Sequence, residues 1–249
     1  MPLRPILLAA RPADPYLTYR VGDDLAGPVL VDGDHVAFLR SGRRTGEVWL
    51  TALGEESDRV LRLVDELLDD HEVDGIHVHD DVYLDLPERL RIPDPGWWSI
   101  WTLAAGRMSH DGRPSESVVD LDRQDPRIDS LLAHSESAYL FAGDEKVLRW
   151  VGIEDGDRLV AVAGQSQIAD GTPHLVSICV HPDRRGEGLG RAVTANLARR
   201  CLAEGADEVY LEMYAGNLAA ARTYGGLGFV QRARYRSGFL PGRGYAPSQ

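Results

Sequence analysis

Apolar residues in the first half of the chain recur with the period of an α-helix, between two stretches with the pattern of strands. The strand patterns cover residues 47–52 and 76–79. The apolar face of the helix consists of Val60, Leu63, Val64, Leu67 and Leu68. This order predicts a β-α-β unit.

The same order recurs in the second half. Residues 175–180 and 209–213 have strand patterns, and the helix between them has apolar residues at four-residue steps, namely Val193, Leu197 and Cys201. A helical crossover of this kind places the flanking strands side by side and parallel. Further elements are predicted at 118–121, 128–132, 159–163 and 229–235. The expected fold class is α/β, with a mixed α+β sheet.

The two β-α-β units differ in the length of the connection before the helix. The second unit is five positions longer, and the extra residues coincide with the glycine-rich stretch 185–190. Between the halves, residues 104–116 are rich in Gly, Ser, Pro and charge, which predicts a linker. We therefore expect two domains, residues 1–106 and 117–249.

Composition and charge exclude some classes of protein and make others less favoured. Hydrophobic residues make up 43% and charged residues 27%, which excludes intrinsic disorder. The net charge of −12 disfavours binding to nucleic acid or an anionic membrane. Cys179 and Cys201 lack the spacing of a zinc site or a disulfide framework. Apolar runs are too short for an export signal or a membrane span, so a cytoplasmic protein is expected.

The strongest local signal is the glycine-rich stretch at 180–191. Pro182 ends the preceding strand, Gly186, Gly188 and Gly190 let backbone N–H groups approach a ligand, and a helix begins directly afterwards. This arrangement suits an anion. A plain tight turn is the alternative, and a dinucleotide-binding loop fits less well because the spacing is G-x-G-x-G.

A second segment, LEMYAGN at 211–217 followed by Ala220, Tyr224 and Gly228-Phe229, strengthens this interpretation. Together the two segments resemble the GNAT acetyltransferase superfamily. They match its R-x-x-G-x-G/A acetyl-CoA motif at Arg185 and its N-x-x-A-x-x-x-Y-x-x-x-G-F segment from Asn217. The resemblance covers about residues 118–235 and implies the acyl-CoA N-acyltransferase fold. The first half resembles a degenerate second copy, as in tandem GNAT proteins.

The resemblance also implies a site and a cosubstrate, acetyl-CoA, without a metal. Backbone groups of Ile178, Cys179 and Val180 would hold the pantetheine arm, which Asn217 would also reach. Tyr224 would protonate the departing thiolate, and Glu212 is a candidate general base. The pyrophosphate would lie against the residues of the glycine-rich loop, which are Arg185, Gly186, Glu187, Gly188, Leu189, Gly190 and Arg191.

The reaction implied is direct transfer of an acetyl group to an amine through a ternary complex. The acceptor would be a small-molecule amine, such as a thiol-sugar amine or an antibiotic, or a peptide N-terminus or lysine. Nothing in the sequence indicates an oligomeric state. The alternatives are a regulatory module that binds acyl-CoA without catalysis, an enzyme using another acyl-CoA, and a structural protein without a ligand.

Other clusters have simpler explanations. His77 and His79 share a strand face and could bind metal, but a solvated strand end is the simpler expectation. Core packing is expected for Trp97, Trp98 and Trp101. Arg232, Arg234 and Arg236 could contact a phosphate or face water. In the first unit, acidic residues at 54–58 replace the glycine loop, and Ser57 or Asp58 would cap the helix, so one CoA per chain is expected.

Overall fold

The computed structural model describes residues 3–22, 25–42, 46–109, 117–167 and 171–243, and they form two compact units. The first unit contains the described residues up to Ser99 together with 233–243, and the second contains those from Ile100 to Arg232. The predicted boundary lies close to the first of these divisions, although residues 110–116 of that linker are outside the described residues. Residues 233–243, which were expected in the second domain, group with the first unit.

The described elements follow one another as a mixture of strands and helices. The strands are β1 (Leu25–Asp32), β2 (His35–Ser41), β3 (Val48–Leu53), β4 (Gly75–His79), β5 (Gly96–Ala104), β6 (Val118–Leu121), β7 (Val147–Asp155), β8 (Arg158–Gln167), β9 (Pro173–Val180), β10 (Glu208–Tyr214) and β11 (Val230–Phe239). The helices are α1 (Arg4–Ala10), α2 (Pro15–Tyr19), α3 (Ser57–Asp70), α4 (Asp80–Tyr83), α5 (Pro126–Leu132), α6 (Leu189–Ala203) and α7 (Leu218–Leu227). Short 3-10 turns cover Glu88–Leu90 and Pro182–Arg184. Among the described residues, none of the helices has the length and apolar character needed to cross a membrane.

The first unit contains the predicted β-α-β arrangement. Its strands lie in the order β1-β2-β3-β4-β11, and β3 and β4 are parallel. The apolar side of α3 packs on the sheet through Val60, Val64 and Leu67, against a cluster that includes Leu50 and Ile76. The prediction of a helix between two parallel strands is confirmed here.

An aromatic cluster covers the opposite face of this sheet. The ring of His77 stacks on Tyr16 at a centroid distance of 4.0 Å and lies 4.8 Å from Tyr235 and 5.3 Å from Trp98. His77 is only 1% exposed. The expectation of a solvated strand end was therefore wrong at His77, because the side chains of Tyr16 on α2 and Tyr235 on β11 pack against its ring. No cluster of three or more potential metal ligands occurs among the described residues.

The arginines of β11 have structural partners in the first unit. Arg236 Nε lies 2.6 Å from a carboxylate oxygen of Asp80, and Arg234 Nε lies 3.6 Å from the other. The Arg236 guanidinium also stacks over Trp97, 4.6 Å from the ring centroid. These contacts account for both side chains without a phosphate.

The second unit has the strand order β5-β10-β9-β8-β7-β6. Helices α6 and α7 cover one face, where a large apolar cluster includes Leu103, Val193, Leu197 and Leu211. Helix α5 covers the other face through a cluster that contains Ile128, Leu131, Trp150, Val176 and Cys179. The predicted β-α-β unit is confirmed here as β9-α6-β10, with β9 and β10 parallel.

Each unit is completed by a strand from the other half of the sequence. In the first unit, β11 pairs with β4 from Tyr235 opposite His79 to Phe239 opposite Gly75. In the second unit, the end of β5 lies beside β10, and Ala105 N–H donates a hydrogen bond to Asp207 O over 2.8 Å. Local periodicity contains no information on these distant pairings, which is why a simple linear division differs from the observed one.

Candidate active site

The parallel strands of the second unit separate before they end. Strand β9 pairs with β10 at His174 opposite Tyr210 and at Leu175 opposite Leu211, and no later pairs occur within the described residues. Both strands continue beyond this point, β9 to Val180 and β10 to Tyr214. Beyond Leu175 and Leu211, the facing backbone edges of β9 and β10 are therefore not paired with each other.

A β-bulge in β9 accounts for the separation. Val162 of β8 lies opposite Cys179 and Gly164 lies opposite Val176, so β9 has one extra residue in this interval. Ser177, within the bulge, has a φ of +49°, which is unfavourable for a residue with a side chain. Its hydroxyl donates to Leu140 O over 2.8 Å. A bulge bends its strand and increases the local twist, which turns β9 away from β10.

The backbone at the end of β9 presents hydrogen-bonding groups along this unpaired edge. His181 N–H donates to Val160 O of β8 over 2.9 Å. Since N–H groups alternate in direction along a strand, those of Val180 and Ile178 point to the opposite edge, on the side of β10. Cys179 instead faces β8 through its backbone, and its thiol is buried and donates to Leu131 O. Burial raises the pKa of this thiol, so it is not an activated nucleophile.

The glycine-rich loop connects the end of β9 to α6. Gly186 and Gly188 have φ angles of +84° and +81°, a region that only glycine adopts without strain. A Cβ on Gly190 would lie 3.2 Å from Val180 Cγ2, so the start of α6 packs closely on the end of β9. Gly188 is the N-cap and provides no side-chain hydrogen bond to the helix. The first turn of α6 can therefore direct its N–H groups to an external anion.

The charges around this loop differ in how they are compensated. Arg184 is held by Glu187 and Asp155, and Arg184 keeps the pKa of Glu187 below its usual value. Arg185 donates only to backbone carbonyls, to Val180 O over 3.3 Å and to His134 O over 3.4 Å, and has no acidic partner among the described residues. In a chain with a net charge of −12, an exposed guanidinium without a carboxylate leaves local positive charge at the loop.

Asn217 and Tyr224 lie on α7. Asn217 is the N-cap of this helix, and its Oδ1 accepts a hydrogen bond from Ala220 N–H over 3.0 Å. Its side-chain amide N–H groups donate to none of the described residues. Tyr224 is 7% exposed and belongs to the same apolar cluster as Met213. Val180 at the end of β9 packs against this cluster. Burial raises the pKa of the Tyr224 hydroxyl, which therefore stays protonated across the neutral range.

Glu212 follows the last paired residue of β10. Its neighbours Leu211 and Met213 point into the cluster beneath α6 and α7. Because side chains alternate along a strand, Glu212 points to the opposite face, with Tyr210. Glu212 is half-buried. Glu212 thus lies where β9 and β10 separate, on the face of the sheet opposite to the apolar cluster that contains Tyr224.

A cavity that sequence analysis did not predict lies beside the loop, on the side of α5. It has a volume of about 470 Å³. His181, at the end of β9, lines it and makes an edge-to-face contact with His134 at 4.8 Å. Burial, together with the charge of Arg158, lowers the pKa of His181. Residues from three separate segments of the chain form this cavity, which is why no local motif predicts it.

The residues just before the corresponding helix in the first unit contact two histidines. His35 Nε2 accepts a hydrogen bond from Glu56 N–H over 3.2 Å, and His79 Nδ1 lies 2.9 Å from Gly54 O. The expectation that Ser57 or Asp58 caps α3 was wrong: Glu56 is the N-cap, and Ser57 donates to Asp85 instead. His35 thus accepts from the N–H of the N-cap residue, and the N-cap side chain makes no hydrogen bond to the first turn of α3.

Comparison with known proteins is consistent with this geometry. Residues 115–229 match the model of the Acetyltransferase (GNAT) family. A mycothiol acetyltransferase of Thermobispora bispora is 32% identical over 157 residues, which cover 59% of this chain and 48% of the relative. The chain thus spans about half the length of that curated relative.

Solved structures share the fold. A GNAT-family acetyltransferase structure from Novosphingobium aromaticivorans, 24% identical, covers 69% of this chain and 75% of its own, with a TM-score of 0.52. A GCN5-related N-acetyltransferase from Kribbella flavida, 17% identical, covers 86% of this chain and 90% of its own, with a TM-score of 0.54. The segment 115–229 thus matches the GNAT family, and the mixed α/β structure shares its fold with solved GNAT structures.

Proposed function

We propose that the second unit binds acetyl-CoA and transfers its acetyl group directly to an amine. The observation that supports this most strongly is the separation of β9 from β10 directly beside the uncapped start of α6. An elongated ligand with an amide-bearing arm and a pyrophosphate needs this combination of open strand edge and anion site. The unpaired charge of Arg185 supports the same assignment.

The residues of the loop would divide the binding between them. The N–H groups at Gly188 to Arg191 and the Arg185 guanidinium would hold the pyrophosphate. Ile178 and Val180 would hydrogen-bond the pantetheine arm through the open edge of β9, and the Asn217 amide would donate to the same arm. One of the N–H groups at the end of β9 would also polarise the thioester carbonyl as negative charge develops on its oxygen.

Catalysis would use the two faces of the sheet separately. On the face of α5, Glu212 would accept the proton that an alkylammonium must lose before attack, through a water. The amine nitrogen then forms a bond to the carbonyl carbon, the carbon–sulfur bond breaks, and the nitrogen releases its second proton to water. On the face of α7, Tyr224, which burial keeps protonated, would donate its proton to the departing sulfur and regain one from solvent. No covalent enzyme intermediate is needed, because both substrates are bound together.

The acceptor is proposed as a small-molecule amine. The relative from Thermobispora bispora is named for mycothiol, and amines of thiol-bearing sugars are therefore the first compounds to test. Peptide N-termini and lysine side chains form the second group. The decisive assay measures thiol release from acetyl-CoA across this amine set.

Tyr224→Phe tests the proposed mechanism because it keeps the ring and removes the proton donor. We expect kcat to fall about 100-fold or more, with the Kd for acetyl-CoA nearly unchanged. Tyr83→Phe is the matched control: it removes a hydroxyl that donates to Ile92 O over 3.1 Å in the first unit. Wild-type turnover in Tyr224→Phe would show that this tyrosine only packs. A protein that binds acetyl-CoA but releases no thiol with any amine would instead be a regulatory module.

A further inference from the structure

The side chain of Arg191 contacts the end of α7. Arg191 is in the first turn of α6, where the sequence placed it among the pyrophosphate ligands. Its Nη2 donates a hydrogen bond to Gly226 O over 3.1 Å. Gly226 leaves room for this approach, since a Cβ there would lie 2.8 Å from Nη1 of Arg191. Thus the backbone N–H of Arg191 is at the anion site, and its guanidinium is directed to another helix.

This contact completes the hydrogen bonding of the last turn of α7. The final carbonyls of a helix have no partner within the helix. Here Phe229 N–H donates to Tyr224 O and Gly228 N–H donates to Gly225 O, each over 3.0 Å. Ser109 N–H donates to Leu227 O over 3.1 Å. Arg191 supplies the donor for the remaining carbonyl, that of Gly226, and its positive charge also interacts favourably with the C-terminal end of the helix dipole.

The last turn of α7 needs such support because of its composition. The helix has only ten residues, and Gly225 and Gly226 lie in its final turn. Glycine destabilises a helix relative to alanine, because its backbone loses more conformational freedom on folding. Tyr224 directly precedes these two glycines. The orientation of Tyr224 therefore depends on contacts from outside the helix.

We infer that Arg191 is a positioning residue: its hydrogen bond to Gly226 O connects α6, which follows the glycine-rich loop, to the last turn of α7, which bears Tyr224. The inference rests on the proposed role of Tyr224 as the proton donor. Arg191 would act through α7 without touching either substrate by its guanidinium. This contact would fix the position of the Tyr224 hydroxyl relative to the start of α6, where the pyrophosphate would bind.

Arg191→Met tests this inference, since methionine keeps an apolar stem and removes the donors. We expect kcat to fall about tenfold while the Kd for acetyl-CoA changes less than about threefold. Arg191→Lys should recover part of kcat because an ammonium can still donate to Gly226 O. The control is Arg200→Met on the same helix, which removes an exposed ion pair with Asp120 and should leave kcat unchanged.

Hydrogen exchange gives a readout that does not depend on activity. In Arg191→Met, the amides of Gly228 and Phe229 should exchange about tenfold faster, because the turn to which they donate is loosened. Unchanged exchange at these two amides would overturn the inference. A weaker Kd for acetyl-CoA with kcat intact would overturn it too, since the side chain would then be a phosphate ligand. Faster exchange in a protein that acetylates no amine would uphold the contact and reject the proposed function.

Discussion

The parallel strand pairs of the two units differ in how far they remain together. In the first unit, β3 and β4 pair at four successive positions, from Trp49 opposite Gly75 to Ala52 opposite Val78. In the second unit, β9 and β10 pair at two positions and then separate. The same β-α-β connection therefore gives a closed strand pair in one unit and an open one in the other.

The residues at the starts of α3 and α6 also differ between the two units. At the start of α3, the imidazole of His35 accepts from Glu56 N–H, and that of His79 lies against Gly54. At the start of α6, Gly186 and Gly188 leave the N–H groups of the first turn without a side-chain cap. Two changes thus distinguish the units, a bulge that opens the strands and a loop in which glycines replace the acidic residues before the helix. We propose that the first unit is a GNAT-like copy that lacks both.

The largest effect is expected from cutting the chain at the linear domain boundary. A fragment of residues 117–249 lacks β5, which is the neighbour of β10, and it loses Leu103 from the main apolar cluster of the second unit. We expect this fragment to show no cooperative thermal transition by circular dichroism. A fragment of residues 96–249 retains β5 and should show one. Equal transitions in the two fragments would contradict the role given to β5.

A smaller but still large effect is expected from Gly188→Val. The φ of +81° is unfavourable for a β-branched residue, so the start of α6 must shift. The affinity for acetyl-CoA should fall about 100-fold by calorimetry, because the anion site depends on these N–H groups. Gly143→Val is the control: Gly143 has a φ of +79°, and a Cβ there would meet nothing within 4 Å. Equal losses of affinity in both variants would assign the effect to general strain.

The smallest effect concerns the acid sensitivity of the first unit. Burial, and then the charge of Arg40, lowers the pKa of His77 well below its usual 6.5, and His79 and Arg20 act in the same direction. As pH falls below 6.5, the unfolded chain binds a proton that folded His77 cannot bind. The free energy of unfolding should therefore decrease, by up to about 1.4 kcal/mol per pH unit for this group.

His77→Phe removes this proton linkage while keeping a ring against Tyr16. Urea unfolding at pH 7.5 and pH 5.5 should show a smaller loss of stability in the variant than in the wild type. The same loss in both proteins would show that His77 is protonated in the folded state or that other groups control the acid response.

Apolar periodicity and glycine spacing predicted those features of the fold that depend on neighbouring residues in the chain. The β-α-β units follow from the apolar period of α3 and α6, and the loop follows from Gly186 and Gly188. The bulge at Ser177 was not predictable, since a serine in a strand pattern gives no sign of a positive φ. The hydrogen bond from Glu56 N–H to His35 and the pairing of β11 with β4 join distant segments, and these contacts arise only when the chain has folded.

The stoichiometry of acetyl-CoA binding tests the central claim, that only the open strand pair and glycine-rich loop of the second unit form a cofactor site. Calorimetric titration of the full chain should saturate at about one equivalent per chain, because β3 and β4 stay paired and the acidic residues Glu55, Glu56 and Asp58 at the start of α3 repel a pyrophosphate. Gly188→Val should remove this single binding event. Saturation at two equivalents, or one equivalent still bound tightly by Gly188→Val, would contradict the account.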